Sequence, residues 1–264
     1  MQRRLFPASL IAIGLIASTA AAAPTKVLII TGDSSHKWQE TTPFLKDLLL
    51  KAGMEVEVTE TGSKDVTAEN LAKYDVFVLN YNDAGRGKPE SRWSDENKKA
   101  FNEAVNNGKG LVVYHHASCA FSKGNKPIDK EFERAIAGGW RARGNHGKRH
   151  DFKVAIRKDD HPIMKGMPAE FQQTNDELYQ NSLMFPESVV LATAYADSKV
   201  DPKNSGKHEP VVWVTTYGKG RVCENVLGHD VDTMKSLGFQ TLLVRCVEWA
   251  ATGEVKHPVP AGLK

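Results

Sequence analysis

Short apolar runs without polar alternation constrain the fold of this chain most strongly. KVLII, YDVFVL and GLVVY are such runs, and amphipathic helical patterns separate them. Uninterrupted apolar strands are typical of parallel sheets that helices cover on both faces. Their alternation with helices predicts an α/β fold with a doubly wound, mostly parallel sheet and right-handed crossovers.

The periodicity and the turn residues also predict the individual elements. In the first half they are a strand at 27–31, a helix near 40–52, an edge strand at 54–60, a short helix at 66–71, a strand at 75–79, a helix from the N-cap Ser94 to Gly108 and a strand at 110–114. In the second half they are a helix in KEFERAIAGGW, strands in FKVAIRK, SVVLATAY, PVVWVTTYG and GRVCENVLG, and a helix at 237–251. FQQTNDELYQNS is predicted to be a loop or a short helix.

Residues 1–23 have the pattern of a secretory signal peptide. Arg3 and Arg4 precede the apolar segment LIAIGLIA, and the small residues STAAAA follow it. The apolar segment is too short for a membrane span. We therefore expect a periplasmic or secreted protein in which residues 24–264 form a single domain.

The charge balance limits the classes of partner. The chain has 35 Lys and Arg against 32 Asp and Glu, and two basic residues leave with the predicted signal peptide. A nearly neutral chain argues against nucleic acid as a partner and against electrostatic membrane binding, and we expect no membrane anchor.

The three cysteines are too few for a disulfide scaffold. The sequence does not determine the oligomeric state, and both a monomer and a homo-oligomer are compatible with it.

Histidines and acids follow the predicted strands at once. These residues are His36, Asp83, His115, and the pair His229 and Asp230. In open parallel sheets, ligands bind at the carboxyl ends of the strands. Separate segments therefore deliver imidazoles and carboxylates to one edge, which predicts an active site, although a single histidine there can equally serve packing or capping. Because neighbouring residues on a strand alternate, His116 is expected to point away from this site.

The sequence resembles the ThuA-like (trehalose-utilisation) family. The matching segments include LIITGDSSH, GKGLVVYHHAS, DDHPIMKGMP, NDELY, YGKGRV and LGHD, in the family's order over about residues 26 to 253. The resemblance implies a flavodoxin-like fold of the class I glutamine amidotransferase type. It also implies a role in sugar metabolism, beside oxidoreductases that make 3-keto-glycosides. The G-x-C-x-G nucleophile elbow of amidotransferases is absent, since GLVVY ends at His115, so glutamine hydrolysis is not expected and Cys119 is expected to be structural.

These considerations select the candidate site residues. The catalytic candidates are His115, His36, His229 and the two acids of DELY, Asp176 and Glu177, one of which is expected to be structural. The candidates for binding the substrate are Tyr179, Asp83, Trp140, His150 and Asp230. His146 and His150 flank a basic glycine-containing loop, which is either solvated surface or a lid facing the sugar.

Neutral imidazoles and carboxylates suit acid–base chemistry near neutral pH. The predicted function is cleavage of a 3-keto-glycoside or related sugar derivative, by hydrolysis or by elimination and hydration. Two alternatives stay open. One is a domain that binds a sugar or a partner without catalysis, and the other is a metal-dependent hydrolase. No H-x-H or H-E-x-x-H pair is present, so no cofactor and no metal ligand is assigned, although a divalent metal stays possible.

Overall fold

A computed structural model of the chain describes residues 23–83, 85–123, 126–127, 129–140 and 144–263. All but the last residue of the predicted signal peptide lie outside these ranges, so the signal peptide stays a prediction. Among the described residues, no helix is both long enough and apolar enough to cross a membrane.

Among the residues that the structure describes, nine strands form one mixed sheet, and six two-residue strands form three small ladders. In chain order the strands are β1 (Lys26–Ile30), β2 (Glu55–Thr59), β3 (Val76–Leu79), β4 (Gly110–Tyr114), β5 (Ser122–Lys123), β6 (Lys126–Pro127), β7 (Gly138–Gly139), β8 (Asn145–His146), β9 (His150–Ile156), β10 (Glu170–Asp176), β11 (Tyr179–Gln180), β12 (Leu183–Met184), β13 (Val189–Tyr195), β14 (His208–Tyr217) and β15 (Gly220–Asn225). The order in the large sheet is β10-β9-β13-β14-β15-β4-β3-β1-β2.

Half of this sheet is the parallel sheet that the sequence predicts. β2, β1, β3, β4 and β15 are parallel neighbours. β1, β3 and β4 are buried along almost their whole length, as the uninterrupted apolar runs predict. The alternating strand β2 lies at the edge, which confirms the prediction made from its exposed Glu55 and Glu57.

The other half is an antiparallel extension formed by β14, β13, β9 and β10. The outermost strand, β10, corrects the prediction of a loop or short helix in FQQTNDELYQNS. Two of its inward-facing residues, Gln173 and Asp176, are polar, so the sequence shows no apolar alternation. A β-bulge between these two residues also interrupts the register with β9, so the two-residue alternation of a strand is broken in the sequence.

Helices cover both faces of the sheet. They are α1 (Trp38–Lys51), α2 (Gly62–Asp65), α3 (Ala68–Leu71), α4 (Asp95–Asn106), α5 (Lys130–Ala135), α6 (Val231–Met234) and α7 (Leu237–Thr252), with 3₁₀ turns at Pro89–Ser91 and His115–Cys119. α4 begins at Ser94, whose side chain accepts from the amide of Asn97 in a capping box, as predicted. α7 ends at Gly253 in the left-handed conformation. α5 is shorter than predicted because Ala137, at φ 49, leaves the helical region.

Two apolar cores result, one on each face of the sheet. Leu45 and Leu49 of α1 pack on one face together with Phe239 and Leu243 of α7. Phe101 of α4 and other helical residues pack on the opposite face. The helices therefore hold the parallel strands rigidly, and the carboxyl ends of those strands have fixed positions.

Candidate functional site

Three histidines lie at the carboxyl edge of the parallel strands. His36 follows β1, His115 follows β4 directly, and His229 lies in the loop after β15. Their ring centroids are 4.9 Å apart for His36 and His115, 4.6 Å for His36 and His229, and 5.5 Å for His115 and His229. The structure thus brings together the three histidines that the sequence selects.

Glu177 reaches the same point from the antiparallel half of the sheet. It follows β10, whose bulge and the positive φ of Asn175 (47°) turn the chain toward the histidines. The Oε2 atom of Glu177 lies 3.1 Å from Nδ1 of His229, 3.7 Å from Nε2 of His36 and 3.7 Å from Nε2 of His115. Two of these distances are too long for hydrogen bonds, so His36 and His115 approach Glu177 without being joined to it directly.

This convergence has the dimensions of a metal site. One donor atom from each of His36, His115, Glu177 and His229 lies within 4.8 Å of the other three. Ligand atoms held about 2.0–2.1 Å from a tetrahedral ion are about 3.4 Å apart, close to the distances around Glu177. The sequence assigns no metal ligand because these four residues come from four separate segments rather than from one short motif. The donor set, three imidazoles and one carboxylate, suits Zn²⁺ or a similar transition metal.

Two details of the histidines support this fit. Nδ1 of His115 is 2.7 Å from the carbonyl oxygen of Val226, which makes Nδ1 the protonated nitrogen and leaves the Nε2 lone pair directed at the cluster. Nδ1 of His229 is buried and makes no well-aligned hydrogen bond, although Oε2 of Glu177 lies 3.1 Å from it. A buried nitrogen of this kind is costly unless a ligand satisfies it.

The electrostatics of the cluster favour a charged Glu177 and a neutral His36. Burial raises the pKa of the Glu177 carboxyl, but the imidazoles of His115, His229 and His36 outweigh burial and hold this pKa well below its ordinary range. Burial lowers the pKa of His36 to about 4, although Glu177 opposes the shift. At neutral pH the cluster therefore offers a carboxylate and a His36 imidazole whose lone pairs are free to bind a cation.

His116 also faces the site, which corrects the prediction that it points away. Strand geometry ends at Tyr114, and His115 has a φ of 46° at the start of a 3₁₀ turn, so the alternation of a strand does not apply. The His116 ring lies 4.3 Å from that of His36, and its Nδ1 is 3.3 Å from the hydroxyls of Ser34 and Ser35. Burial lowers the pKa of His116 to about 2.

A pocket of about 480 Å³ opens above the cluster. Its lining includes Trp140 and Tyr179, whose rings are stacked at 4.2 Å with an interplanar angle of 16°. The Tyr179 hydroxyl lies 3.1 Å from Nε2 of His115. Nε2 of His146 is 3.8 Å from Oε1 of Glu177, so His146 belongs to the pocket rather than to solvated surface.

The rim of the pocket carries an ion pair between two segments. Arg149 Nη1 is 2.8 Å from Oδ2 of Asp230. Asp230 is also the N-cap of α6, where its side chain accepts from the amide of Thr233. Asp230 therefore lies in the pocket lining, as expected, where it pairs with Arg149 and caps α6.

Four of the predicted site residues lie outside the pocket lining: the buried His115 of the cluster, and Asp176, Asp83 and His150. Asp176 is completely buried behind the cluster, which makes Glu177 the acid of DELY that faces the pocket. Asp83 lines a separate cleft, because its Oδ1 accepts from the amide of Phe121 and turns it away from the histidines. His150 is directed to the carbonyl oxygen of Lys148 and lies beside Phe152.

Cys119 does not have the environment of an amidotransferase nucleophile. It closes the 3₁₀ turn after β4, where Sγ is 3.2 Å from the carbonyl oxygen of His116 and 3.1 Å from Nδ2 of Asn82. The end of β4, where the nucleophile elbow of an amidotransferase stands, is occupied by His115. Cys223 and Cys246 are both fully buried between β15 and α7.

The sequence reasoning missed the contributions of His116 and Arg149, and for His146 it left open both solvated surface and a lid facing the sugar. The basic loop RARGNHGKRH was a signal for two of them, since its histidines and arginines lie near a glycine-rich turn. Only the pairing of β8 with β11 shows which side of the loop faces the site, because it places His146 opposite Tyr179.

Comparisons with known proteins agree with this architecture. A ThuA-like protein of Parabacteroides merdae has 33% identity and a TM-score of 0.77, over 90% of this chain and 94% of that chain. A ThuA-like protein of Bacteroides uniformis has 21% identity and a TM-score of 0.68, over 90% of this chain and 98% of that chain. A Salmonella typhimurium protein at 15% identity, with a TM-score of 0.61 over 86% of this chain and 100% of that chain, shares the fold alone.

No functionally curated protein matches the chain. The family model described as ThuA, trehalose utilisation, matches residues 26–250, which is nearly the whole of the described chain. The mixed sheet, parallel in one half and antiparallel in the other, lies between helices as in the class I glutamine amidotransferase-like fold. This chain belongs to the ThuA family.

Proposed function

We propose that this protein is a metal-dependent enzyme of carbohydrate utilisation that cleaves an oxidised sugar derivative, with 3-keto-glycosides as the substrate class. The observation that carries the proposal is the convergence of His36, His115, Glu177 and His229 within 4.8 Å at the base of a pocket. The resemblance to relatives that act beside oxidoreductases making 3-keto-glycosides supplies the substrate class. The signal-like pattern of residues 1–23 supports an exported location.

The chemistry of such a substrate requires a proton acceptor and a proton donor. A 3-keto-glycoside has an acidic proton at C2, beside its carbonyl, and its cleavage needs a group that assists departure at C1. A divalent ion, when bound, supplies Lewis-acid polarisation of a carbonyl or hydroxyl oxygen. The imidazoles of His116 and His146 lie in the pocket but outside the group of four. His146 can carry a proton to or from the sugar, whereas His116 stays neutral and can only form a hydrogen bond to it.

Tyr179 suits the role of a hydrogen-bond donor to the sugar. Burial raises the pKa of its hydroxyl well above the ordinary value, so this group is neutral at neutral pH and keeps its proton. The stack with Trp140 fixes the ring, and an aromatic wall of this kind is a suitable surface for a sugar ring.

The arrangement favours an enzyme over a domain that only binds. A binding site gains nothing from placing a carboxylate among three imidazoles, because burial of these groups is costly unless they hold an ion or act chemically. Glutamine hydrolysis has no support, since His115 occupies the end of β4 and Cys119 lies in the turn beyond it.

The test combines metal analysis with turnover. The metal-free chain is titrated with Zn²⁺, Mn²⁺ and Co²⁺, and a panel of 3-keto-glycosides is then assayed with and without metal and chelator. We expect one tight divalent ion per chain, and turnover that the chelator abolishes and added metal restores. Glu177→Gln and His229→Asn should weaken metal binding by about 100-fold or more, whereas His150→Asn, outside the pocket, should not.

Two results would contradict the proposal. Full turnover by the metal-free chain, or unchanged metal affinity in Glu177→Gln, would show that the four residues are not a metal centre. Saturable binding of a sugar, with no cleavage of any member of the panel, would favour the non-catalytic alternative.

A further inference from the structure

Asp176 is a buried carboxylate directly behind the proposed metal-binding cluster. It is 0% exposed and immediately precedes Glu177 at the end of β10. Its Oδ1 atom accepts hydrogen bonds from two backbone amides, that of Glu177 at 2.9 Å and that of His229 at 3.0 Å. One oxygen atom therefore holds the main chain of two of the four candidate ligands.

The second oxygen extends the same arrangement. Oδ2 accepts from the amide of Gly228 at 2.7 Å and from Nε2 of Gln173 at 2.9 Å. Gln173 also donates to the carbonyl oxygen of Thr233 in α6, at 3.1 Å. A fully buried carboxylate needs such donors, and four of them satisfy it.

These bonds join two distant parts of the sheet. Glu177 follows β10 and His229 follows β15, and three strands (β9, β13 and β14) stand between β10 and β15 in the sheet order. The bulge in β10 turns Asp176 inward, where it meets the amides of Gly228 and His229. The separation of Glu177 from His229 consequently depends on a connection that lies outside the regular sheet ladder.

We infer that Asp176 is a positioning residue that sets the metal affinity of the cluster by fixing Glu177 and His229 relative to each other. This inference rests on the proposed function, because it requires a metal at the cluster. A site whose ligands are already held at their binding separation loses little freedom when the ion binds. Loss of an outer partner of metal ligands typically costs about 10–100-fold in affinity.

The test is the metal affinity of Asp176→Asn in the full chain. Asparagine has nearly the same size, but its NH₂ group cannot accept, so one of the two pairs of donors loses its acceptor. We expect a Kd for Zn²⁺ that is about 10–100-fold weaker than in the wild type. The visible absorption spectrum of the Co²⁺-loaded variant should also change, because the ligand geometry changes. Urea unfolding checks that the variant still folds cooperatively.

Asp201→Asn is the matched control. Asp201 is also buried, and its carboxylate accepts from the amides of Lys148 at 2.8 Å and Lys203 at 2.9 Å. It thus joins two segments in the same way, but neither amide belongs to a candidate ligand. Its replacement should cost comparable stability and leave the Kd within about twofold.

The outcomes separate this inference from the proposed function. If the wild type binds no metal, the proposed function fails. If the wild type binds metal and Asp176→Asn binds it equally well with an unchanged Co²⁺ spectrum, only the inference fails. If Asp176→Asn does not fold, Gln173→Ala decides, because it removes one donor to Asp176 and should weaken binding at least about threefold. An unchanged Kd in that variant overturns the inference.

Discussion

The hydroxyl of Tyr179 lies 3.1 Å from Nε2 of His115, the nitrogen that also faces Glu177. Tyr179 is buried, and Trp140 stacks on its ring. The hydroxyl is therefore fixed at the edge of the cluster, between a candidate ligand and the pocket. This position distinguishes it from the ligands, because it can act on a substrate without holding the ion.

Tyr179→Phe should lower kcat on a 3-keto-glycoside by about 100-fold, as expected for loss of a hydrogen bond to charge that develops on the substrate. The ring and its stack with Trp140 stay in place, so metal affinity should change by less than about threefold. Steady-state kinetics and a Zn²⁺ titration measure the two effects. Tyr74→Phe is the control, since that hydroxyl donates to Glu57 far from the site. Unchanged turnover in Tyr179→Phe would remove the hydroxyl from the mechanism.

His115 and His116 should respond differently to replacement, although both face the site. His115→Asn removes a candidate ligand, so metal binding and turnover should be lost together. His116→Asn should leave metal affinity nearly unchanged and lower kcat/KM by about 10-fold, as expected for loss of a hydrogen bond to the substrate. Metal titration and kinetics on both variants test this. Loss of metal from His116→Asn would mean that the ligand set is assigned wrongly.

The sequence predicts the parallel half of the fold well because burial there is uniform. VLII in β1 and GLVV in β4 contain no polar residue, so the burial of these strands follows from the pattern. The prediction from the apolar pattern is wrong at β10, where Gln173 and Asp176 face inward and form hydrogen bonds with other polar groups. A polar residue buried for the sake of a partner elsewhere in the chain has no local signature.

The same reason explains which parts of the site the sequence could predict. His36, His115 and His229 follow strands, so the rule for the carboxyl ends of parallel strands finds them. Their separation from Glu177 depends on how the antiparallel half folds back, which the bonds of Asp176 to the amides of Glu177 and His229 fix. A metal site assembled from four separate segments is therefore visible only in three dimensions.

The stability of the metal-free protein should fall as the pH decreases below about 6.5. Burial holds the pKa of His36 at about 4 and that of His116 at about 2, whereas both histidines titrate near 6.5 when unfolded. Below pH 6.5 the unfolded state thus binds protons that the folded state does not. The contribution of these two histidines to the free energy of unfolding is fully present above pH 6.5. It should decrease toward pH 4, by up to about 1.4 kcal/mol per pH unit for each histidine.

Urea unfolding between pH 7 and pH 4 measures this dependence. His36→Asn should reduce the slope, and His208→Asn, at an exposed position, should not. A free energy of unfolding that is independent of pH in this window would show that the two imidazoles are not held neutral by burial.

Cys119 should be dispensable for turnover. Its Sγ contacts the carbonyl oxygen of His116 and Nδ2 of Asn82, so Cys119→Ser can keep both contacts. Activity should stay within a few-fold, with a change in stability of about 1 kcal/mol. Kinetics and mass spectrometry of the chain during turnover test this. A covalent adduct at Cys119, or loss of activity in a folded Cys119→Ser variant, would indicate a nucleophile.

Gly228→Ala should disturb the loop that carries His229. Gly228 has a φ of 91°, and a Cβ added there would lie 2.5 Å from Cε2 of Phe239. Strain and overlap together should cost about 2–4 kcal/mol, and the displaced loop should weaken metal binding. Gly206→Ala is the control, because Gly206 has a φ of 68° but no atom lies within 4 Å of its added Cβ, so only about 1 kcal/mol of backbone strain is expected. Urea unfolding and a Zn²⁺ titration compare the variants. Equal losses of stability, with metal affinity unchanged in both, would show that the close packing of Gly228 on Phe239 does not fix the position of His229.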